Sequence, residues 1–207
     1  MTLSAAEVNR LKHAPGVEGV LPIFHERWSP RAFADRAVEP EKLKKVFEAA
    51  RWAASSFNEQ PWRYLVGRRG DSAYTKIFAS LGEFNQAWAG QAPVLILGVA
   101  GTKFSHNGSA NGSAVYDLGA ASSYLTLEAA ALGLATHQMA GYDRDAARAA
   151  FGIPEEYTLG AVIALGYQGE PETLGMEKMR EQEVAPRTRK PLEDFVYAAW
   201  GEAAKLG

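Results

Sequence analysis

The sequence predicts an α+β fold in which helices outnumber strands and surround two to four of them. Two short, continuous apolar runs, residues 93–99 and 159–167, have the length and composition of buried strands. Between them lie stretches with helical spacing of apolar residues and with capping signals at their ends. The chain has 207 residues, 47% of them hydrophobic and 22% charged, which suits one domain over 1–207 with a real core.

In the first half of the chain, capping signals predict three helices. Ser4 and Glu7 have capping-box spacing, so a helix should run to about His13, before Pro15. Pro40 suits a first helical position, and apolar residues follow it at helical spacing. Residues 55–62 form a polar loop closed by proline, 64–66 a short strand, and 72–81 another helix.

The second half is dominated by residues 115–132, a long helix that is small or apolar nearly all round. Such a helix is buried either in a core or at a subunit interface. A flexible loop over 105–113 precedes it, and Asp143 is the expected N-cap of a short helix that ends at Gly152. The tail is polar to Lys190, and its apolar end at residues 195–200 needs a partner surface.

Composition excludes several classes of function. The net charge of −2 and pI near 6.1 give no footprint for nucleic acid or a membrane surface. Without cysteine there is no disulfide, thiol nucleophile or thiolate metal site, and no His/Asp/Glu set has metal-binding spacing. The N-terminus has no signal-peptide pattern and no apolar run is long enough to span a bilayer, so we expect a cytoplasmic protein.

The stretch from Arg27 to Phe33 is the first candidate site. Arg27 and Arg31 place two guanidinium groups four residues apart with the Ser29 hydroxyl between them, a set that suits phosphate oxygens. Pro30 makes the segment a stiff loop rather than a helix. Taken alone, two unrelated arginines on a solvated loop would explain the pattern better than a phosphate site.

Dinucleotide and phosphate-loop glycine patterns are absent, and so is a nucleophile elbow. If the protein is an enzyme, a cofactor must therefore carry the chemistry while the protein binds and orients it.

Four motifs occur in an order that resembles the FMN-dependent nitroreductase family. They are Arg-x-Ser-x-Arg-x-Phe at 27–33, Ser-Ser-x-Asn-x-Gln-Pro-Trp at 55–62, Phe-Asn-x-x-Trp at 84–88, and Gly-Tyr at 166–167. The likeness spans roughly residues 20–197. It implies a mostly antiparallel central sheet flanked by helices, and an interlocked homodimer with an FMN in each of two interface sites. The tail, about 180–207, would wrap the partner subunit.

The resemblance also implies roles for individual residues. The phosphate, ribityl chain and pyrimidine edge of FMN would be lined by Arg27, Trp28, Ser29 and Arg31, with Arg187 and Arg189 closing on the phosphate. Other contacts, from the second subunit, would come from Ser55, Ser56, Asn58 and Gln60. The flavin ring would meet Asn85, whose amide offers both a donor and an acceptor, and the backbone of Ala140 and Gly141 near N5 and O4.

The implied reaction takes hydride from NADH or NADPH to the flavin and passes it to a nitroaromatic, quinone or similar acceptor by a ping-pong mechanism, with no dedicated protein acid or base. Trp88 is either a core aromatic or a lid over the flavin. Phe104 lies in the short loop 102–113, where family members cover the substrate. A reductase with a narrow enone, enal or semialdehyde substrate, or a non-catalytic flavin-binding dimer, would carry the same motifs.

Overall fold

The computed structural model describes residues 3–16 and 18–206, so the two ends of the expected 1–207 domain lie outside it. Eight helices occur in this part of the chain: α1 Ala5–Lys12, α2 Pro22–Glu26, α3 Pro40–Arg51, α4 Ser72–Ser80, α5 Glu83–Ala89, α6 Ala114–Ala131, α7 Arg144–Phe151 and α8 Glu177–Val184. The strands are β1 Trp62–Arg68, β2 Val94–Gly101, β3 Ala135–Met139, β4 Tyr157–Gly166, β5 Tyr197–Ala199 and β6 Glu202–Ala203.

The centre of the fold is a four-stranded sheet of order β1-β2-β4-β3. Each neighbouring pair is antiparallel. The long helix α6 connects β2 to β3, which lie on either side of β4. The α+β class and the antiparallel central sheet predicted from the sequence are therefore confirmed.

Both faces of this sheet are covered by helices. Alternate β2 side chains point to opposite faces, which is why its sequence is apolar without alternation. One core combines Leu95, Leu97 and Val99 with residues of α4 and α7. The other combines Val94 and Ile96 with residues of α3 and α6.

Gly67 in β1 shows how tightly α4 sits on the sheet. A β-carbon at this position would lie 2.2 Å from the backbone nitrogen of Tyr74, so any side chain would push the helix away. Because Gly67 has no side chain, α4 can pack directly against β1.

Local capping signals are confirmed where the sequence predicted them. Ser4 and Glu7 form a complete capping box, and the Asp143 side chain accepts from the backbone of Ala146. Gly152 ends α7 in the left-handed conformation at φ 62°. Six elements were not predicted from the sequence: α2, α5, β3, α8, β5 and β6. All are short, and β3 and α8 depend on contacts with distant parts of the chain.

The predicted long apolar helix is α6, but only one of its faces is buried. Leu118, Ala121 and Leu125 are buried in the cores, whereas Tyr116 is 82% exposed. Tyr124 and Val115 are also exposed. The helix therefore packs in the core with one face, and that the exposed face lies at a subunit interface stays a prediction.

The C-terminal tail ends in a hairpin of β5 and β6 that leaves its aromatic residues uncovered. Trp200 is 96% exposed, and Phe195 and Leu192 are more than half exposed. Within the described residues, no helix has the length and apolar character needed to cross a bilayer.

Candidate functional site

The segment Arg27–Phe33 is a loop between α2 and α3, as its proline predicted. Trp28 is buried against α1, where its indole nitrogen donates to the Asn9 side chain at 2.8 Å. Anchoring this side chain leaves the neighbouring residues at the surface. Arg27 donates to the Ser29 hydroxyl at 3.3 Å, so the two predicted phosphate ligands lie side by side.

The tail arginines lie beside this loop although they are 160 residues away in sequence. The Arg187 guanidinium donates to the backbone carbonyls of His25 and Arg27. Burial lowers the pKa of Arg27, and the nearby positive charge of Arg189 lowers it further. The same two causes, in the same order, lower the pKa of Arg187.

This group of Arg27, Arg187 and Arg189, which we call the arginine cluster, carries three positive charges without a salt bridge to an acidic side chain in the described residues. The Nε atoms of Arg187 and of the neighbouring Arg31 are buried and have no hydrogen-bond partner there. Buried donors are normally paired, so these two nitrogens lack partners that a folded chain usually supplies.

The peptide group between Pro30 and Arg31 connects the loop to two other elements. Its carbonyl oxygen lies 3.0 Å from Nδ1 of His137 in β3, and its N–H donates to the Glu183 carboxylate at the end of α8. His137 also packs on the Trp88 ring, with 4.6 Å between centroids. Burial lowers the pKa of His137 to about 4, so its ring is neutral at neutral pH.

Asn85 and Gly141 form the other end of the site. The Asn85 side-chain amide donates to the Gly141 carbonyl at 2.8 Å, and the Gly82 backbone N–H donates to the same oxygen at 3.1 Å. Arg31 lies 5.6 Å from the ring of Phe84, the residue before Asn85. Arg31 thus lies near the α5 segment that carries Asn85, and Gly141, to which Asn85 donates, is exposed.

Similarity to known proteins identifies the type of site. A family model described as "Nitroreductase family" matches residues 25–82 and 68–167, which include Arg27, Asn85 and Gly141 but not the tail arginines. The chain belongs to the nitroreductase family.

Relatives and solved structures agree with this membership. An uncharacterised 15.4 kDa protein of Mycolicibacterium smegmatis is 37% identical over 67% of this chain and 97% of its own. A candidate NADH dehydrogenase/NAD(P)H nitroreductase of Archaeoglobus fulgidus is 31% identical over 73% of this chain and 86% of its own. A crystal structure described as an oxidoreductase containing FMN superposes with a TM-score of 0.85, at 30% identity, over 93% of this chain and 98% of that one. The protein is an oxidoreductase of the nitroreductase type.

The second nitroreductase motif lies apart from the arginine cluster. In the described residues, no hydrogen bond joins Ser55, Ser56, Asn58 or Gln60 to the residues of the cluster. The segment is instead held by the Ser56 backbone N–H, which donates to buried Asp117 at 3.1 Å, and by the Ser55 hydroxyl, which accepts from the Gln60 N–H at 3.0 Å. That this segment reaches the site of a second subunit stays a prediction.

This segment has an unusual backbone. Phe57, Asn58 and Gln60 have φ values of 52°, 54° and 51°, in the left-handed region that side chains disfavour. Each such residue costs of order 1 kcal/mol, and strain of this kind concentrates at functional sites.

Of the two expected substrate contacts, Trp88 is in the core. It is 1% exposed and stacks on Phe33, so the core alternative describes it and the lid alternative is wrong for this chain. Phe104 is half-buried and packs edge-on against exposed Phe57, 5.6 Å between centroids. It therefore belongs with the Ser55–Gln60 segment rather than with the arginine cluster.

Sequence reasoning missed three residues that hold this nitroreductase site together: His137, Asp117 and Glu183. None of the three has a local sequence signal that points to the contact it makes. Each binds backbone groups more than 60 residues away in sequence, and only the folded chain reveals such pairs.

Proposed function

We propose that this site binds FMN and that the protein uses it to transfer hydride from NADH or NADPH to nitroaromatic, quinone or similar acceptors. The observation that supports this most strongly is the arginine cluster, with its unpaired positive charges and the two unpartnered Nε atoms beside it. A dianionic phosphate would supply acceptors for these donors and offset the repulsion between the guanidinium groups.

The opposite end of the site fits the flavin ring. The Asn85 amide faces the Gly141 carbonyl, and a β-carbon on Gly141 would lie 2.9 Å from that amide nitrogen. A side chain here would have to displace the Asn85 amide, whereas glycine leaves it in place. Such an exposed backbone can approach the polar edge of a planar ring closely.

When bound, FMN supplies a ring nitrogen that accepts hydride from the nicotinamide and donates it to the acceptor. The residues of the chain bind the cofactor and orient it. Arg31 brings a positive charge between the phosphate end and the ring end, where it favours an anionic cofactor. His137 is buried and neutral at neutral pH, so it adds no positive charge to the site.

We propose further that the protein acts as a homodimer in which the Ser55–Gln60 segment completes the partner's site. A separate copy would cover the apolar surfaces left open here, which are the outer face of α6 and the tail hairpin. The left-handed backbone of the segment supports a binding role, because strain of this kind concentrates at functional sites.

Steady-state kinetics test the reaction order. With NADH or NADPH varied at several fixed acceptor concentrations, we expect parallel double-reciprocal lines, since one pocket must release the oxidised nicotinamide before the acceptor enters. Turnover with both nitroaromatics and quinones is expected. Intersecting lines would refute the ping-pong order, and turnover restricted to enals, enones or semialdehydes would favour a narrow reductase.

A further inference from the structure

The Pro30–Arg31 peptide group is held from both sides by side chains of distant elements. His137 contacts its carbonyl, and β3, which carries His137, leads directly to Ala140 and Gly141. Glu183 accepts its N–H at 2.9 Å, and α8, which carries Glu183, leads directly to Arg187. One peptide group thus connects the strand that ends at the ring end of the site with the helix that leads to the tail arginines.

Glu183 is the stronger of the two connections. Its carboxylate is 1% exposed and also accepts the Ala32 N–H at 3.0 Å. Lys12 of α1 holds the same end of α8, because its ammonium group donates to the carbonyls of Gln182 at 2.8 Å and Ala185 at 2.5 Å. The last turn of α8 is therefore fixed two residues before Arg187 enters the cluster.

We infer that Glu183 is a positioning residue that sets the distance between the tail arginines and the N-terminal arginine loop, and so determines how tightly the site holds a phosphate group. This inference rests on the proposed function. Glu183 does not belong to the motifs that resemble the family, and it touches only backbone N–H groups of the loop.

Charge and geometry make opposite predictions for Glu183. A carboxylate near an anion site repels the anion, so removing its charge alone would strengthen phosphate binding. If the carboxylate acts through geometry, removing its hydrogen bonds would release the loop and weaken phosphate binding. The two effects can be separated with neutral variants that differ only in hydrogen-bonding capacity.

The experiment compares Glu183→Met with Glu183→Gln. Both remove the charge and keep a side chain of similar volume, but only glutamine offers an oxygen to the N–H groups of Arg31 and Ala32. Glu181→Gln, on the exposed side of the same helix, is the matched surface control. The readout is the ratio of the riboflavin Kd to the FMN Kd for each apoprotein, because riboflavin lacks only the phosphate.

We expect Glu183→Met to lower this ratio at least tenfold, with Glu183→Gln retaining most of it and Glu181→Gln unchanged. If Glu183→Met does not fold, Glu183→Asp replaces it: the shorter carboxylate keeps the charge but withdraws from the loop, and the ratio should again fall.

Equal ratios for the methionine and glutamine variants, or a ratio that rises in both, would overturn the inference, as would an unchanged ratio in a folded Glu183→Asp variant. If wild-type protein binds neither flavin, the proposed function itself fails. If the wild type prefers FMN to riboflavin and the variants have the same ratio of Kd values, only the role of Glu183 is refuted.

Discussion

At the scale of single residues, the site is a set of cations that the protein itself does not neutralise. Some arginines elsewhere in the described chain have acidic partners, for example Arg36 with Glu39 and Arg69 with Asp35. The arginine cluster instead binds backbone carbonyls and crowds its charges together. Such an arrangement is unfavourable unless an anion binds there.

Arg189 offers the clearest test of that anion site, because its side chain contacts only the carbonyl of its neighbour Thr188. We expect Arg189→Ala to raise the FMN Kd about ten- to a hundredfold, since a charge-assisted hydrogen bond contributes roughly 1.5–3 kcal/mol. Riboflavin binding should change little. Fluorescence titration of the apoprotein with each flavin measures both values.

Lys190→Ala is the matched control, since it removes an equal charge from the adjacent exposed position. An equal loss of FMN affinity in the two variants would mean that only the general positive field matters. An unchanged FMN Kd in Arg189→Ala would remove Arg189 from the phosphate site.

His137 gives the protein a pH dependence of stability with a defined sign. Its pKa is about 4 in the folded chain against 6.5 for an unperturbed histidine, so the unfolded state binds more protons between these values. The protein therefore has its full stability with respect to His137 above pH 6.5, and its free energy of unfolding decreases as the pH falls toward 4. The slope is at most about 1.4 kcal/mol per pH unit.

Glu183 acts in the opposite direction, because burial raises its pKa and its contribution is lost as the pH rises above 4.5. Wild type and His137→Gln both contain Glu183, so its contribution cancels when their free energies of unfolding are subtracted. Urea unfolding from pH 4.5 to 7 should therefore show a difference in free energy of unfolding that grows with pH up to 6.5 and then levels. A difference that stays constant over this range would show that His137 does not titrate as its burial predicts.

At the scale of elements, α6 has one face buried in the core and one face exposed, and its sequence did not predict which residues lie on each. Its outer face combines exposed Tyr116 and Tyr124 with the small residues Gly119 and Ser123, a surface that allows another helix to approach closely. Apolar composition all round the helix predicted burial, but not whether the covering surface belongs to the same chain.

Ser123→Arg tests whether this face is a dimer interface. Ser123 is exposed and bonds only within its own helix, so the folded subunit should tolerate the change. A buried, unpaired guanidinium at the interface should shift the protein from dimer to monomer at micromolar concentration. Light scattering coupled to size exclusion measures the mass.

Ala79→Arg, on an exposed position of α4, serves as the control and should leave the dimer intact. If Ser123→Arg remains dimeric with an unchanged dissociation constant, the subunit interface does not include this face of α6.

Short elements show where prediction from the sequence ends. Helices α1 and α7 were predictable because their capping residues are local. Strand β3 has no apolar run of its own, and it exists because β4 pairs with it. Helix α8 is polar on most sides, and it is held by Lys12 and by the Glu183 contact with the loop. Both elements are stabilised by contacts between residues far apart in sequence, which local sequence patterns do not reveal.

At the scale of the whole molecule, the site is assembled from both ends and the middle of the chain. The family resemblance predicted that the arginine motif and the tail arginines share one site, and the fold brings them together. Asn85 and Gly141, matched by family resemblance, also lie together. The role of the Ser55–Gln60 segment could not be checked in one chain, because its expected partner is a second subunit.

An anaerobic visible spectrum of the FMN-loaded protein, before and after addition of NADH or NADPH, tests the proposed function most directly. We predict a flavin absorbance that bleaches with at least one of the two nicotinamides and returns when a nitroaromatic or a quinone is added. Protein that fails to retain FMN, or whose bound flavin stays oxidised with both nicotinamides, would contradict the assignment of this site to hydride transfer.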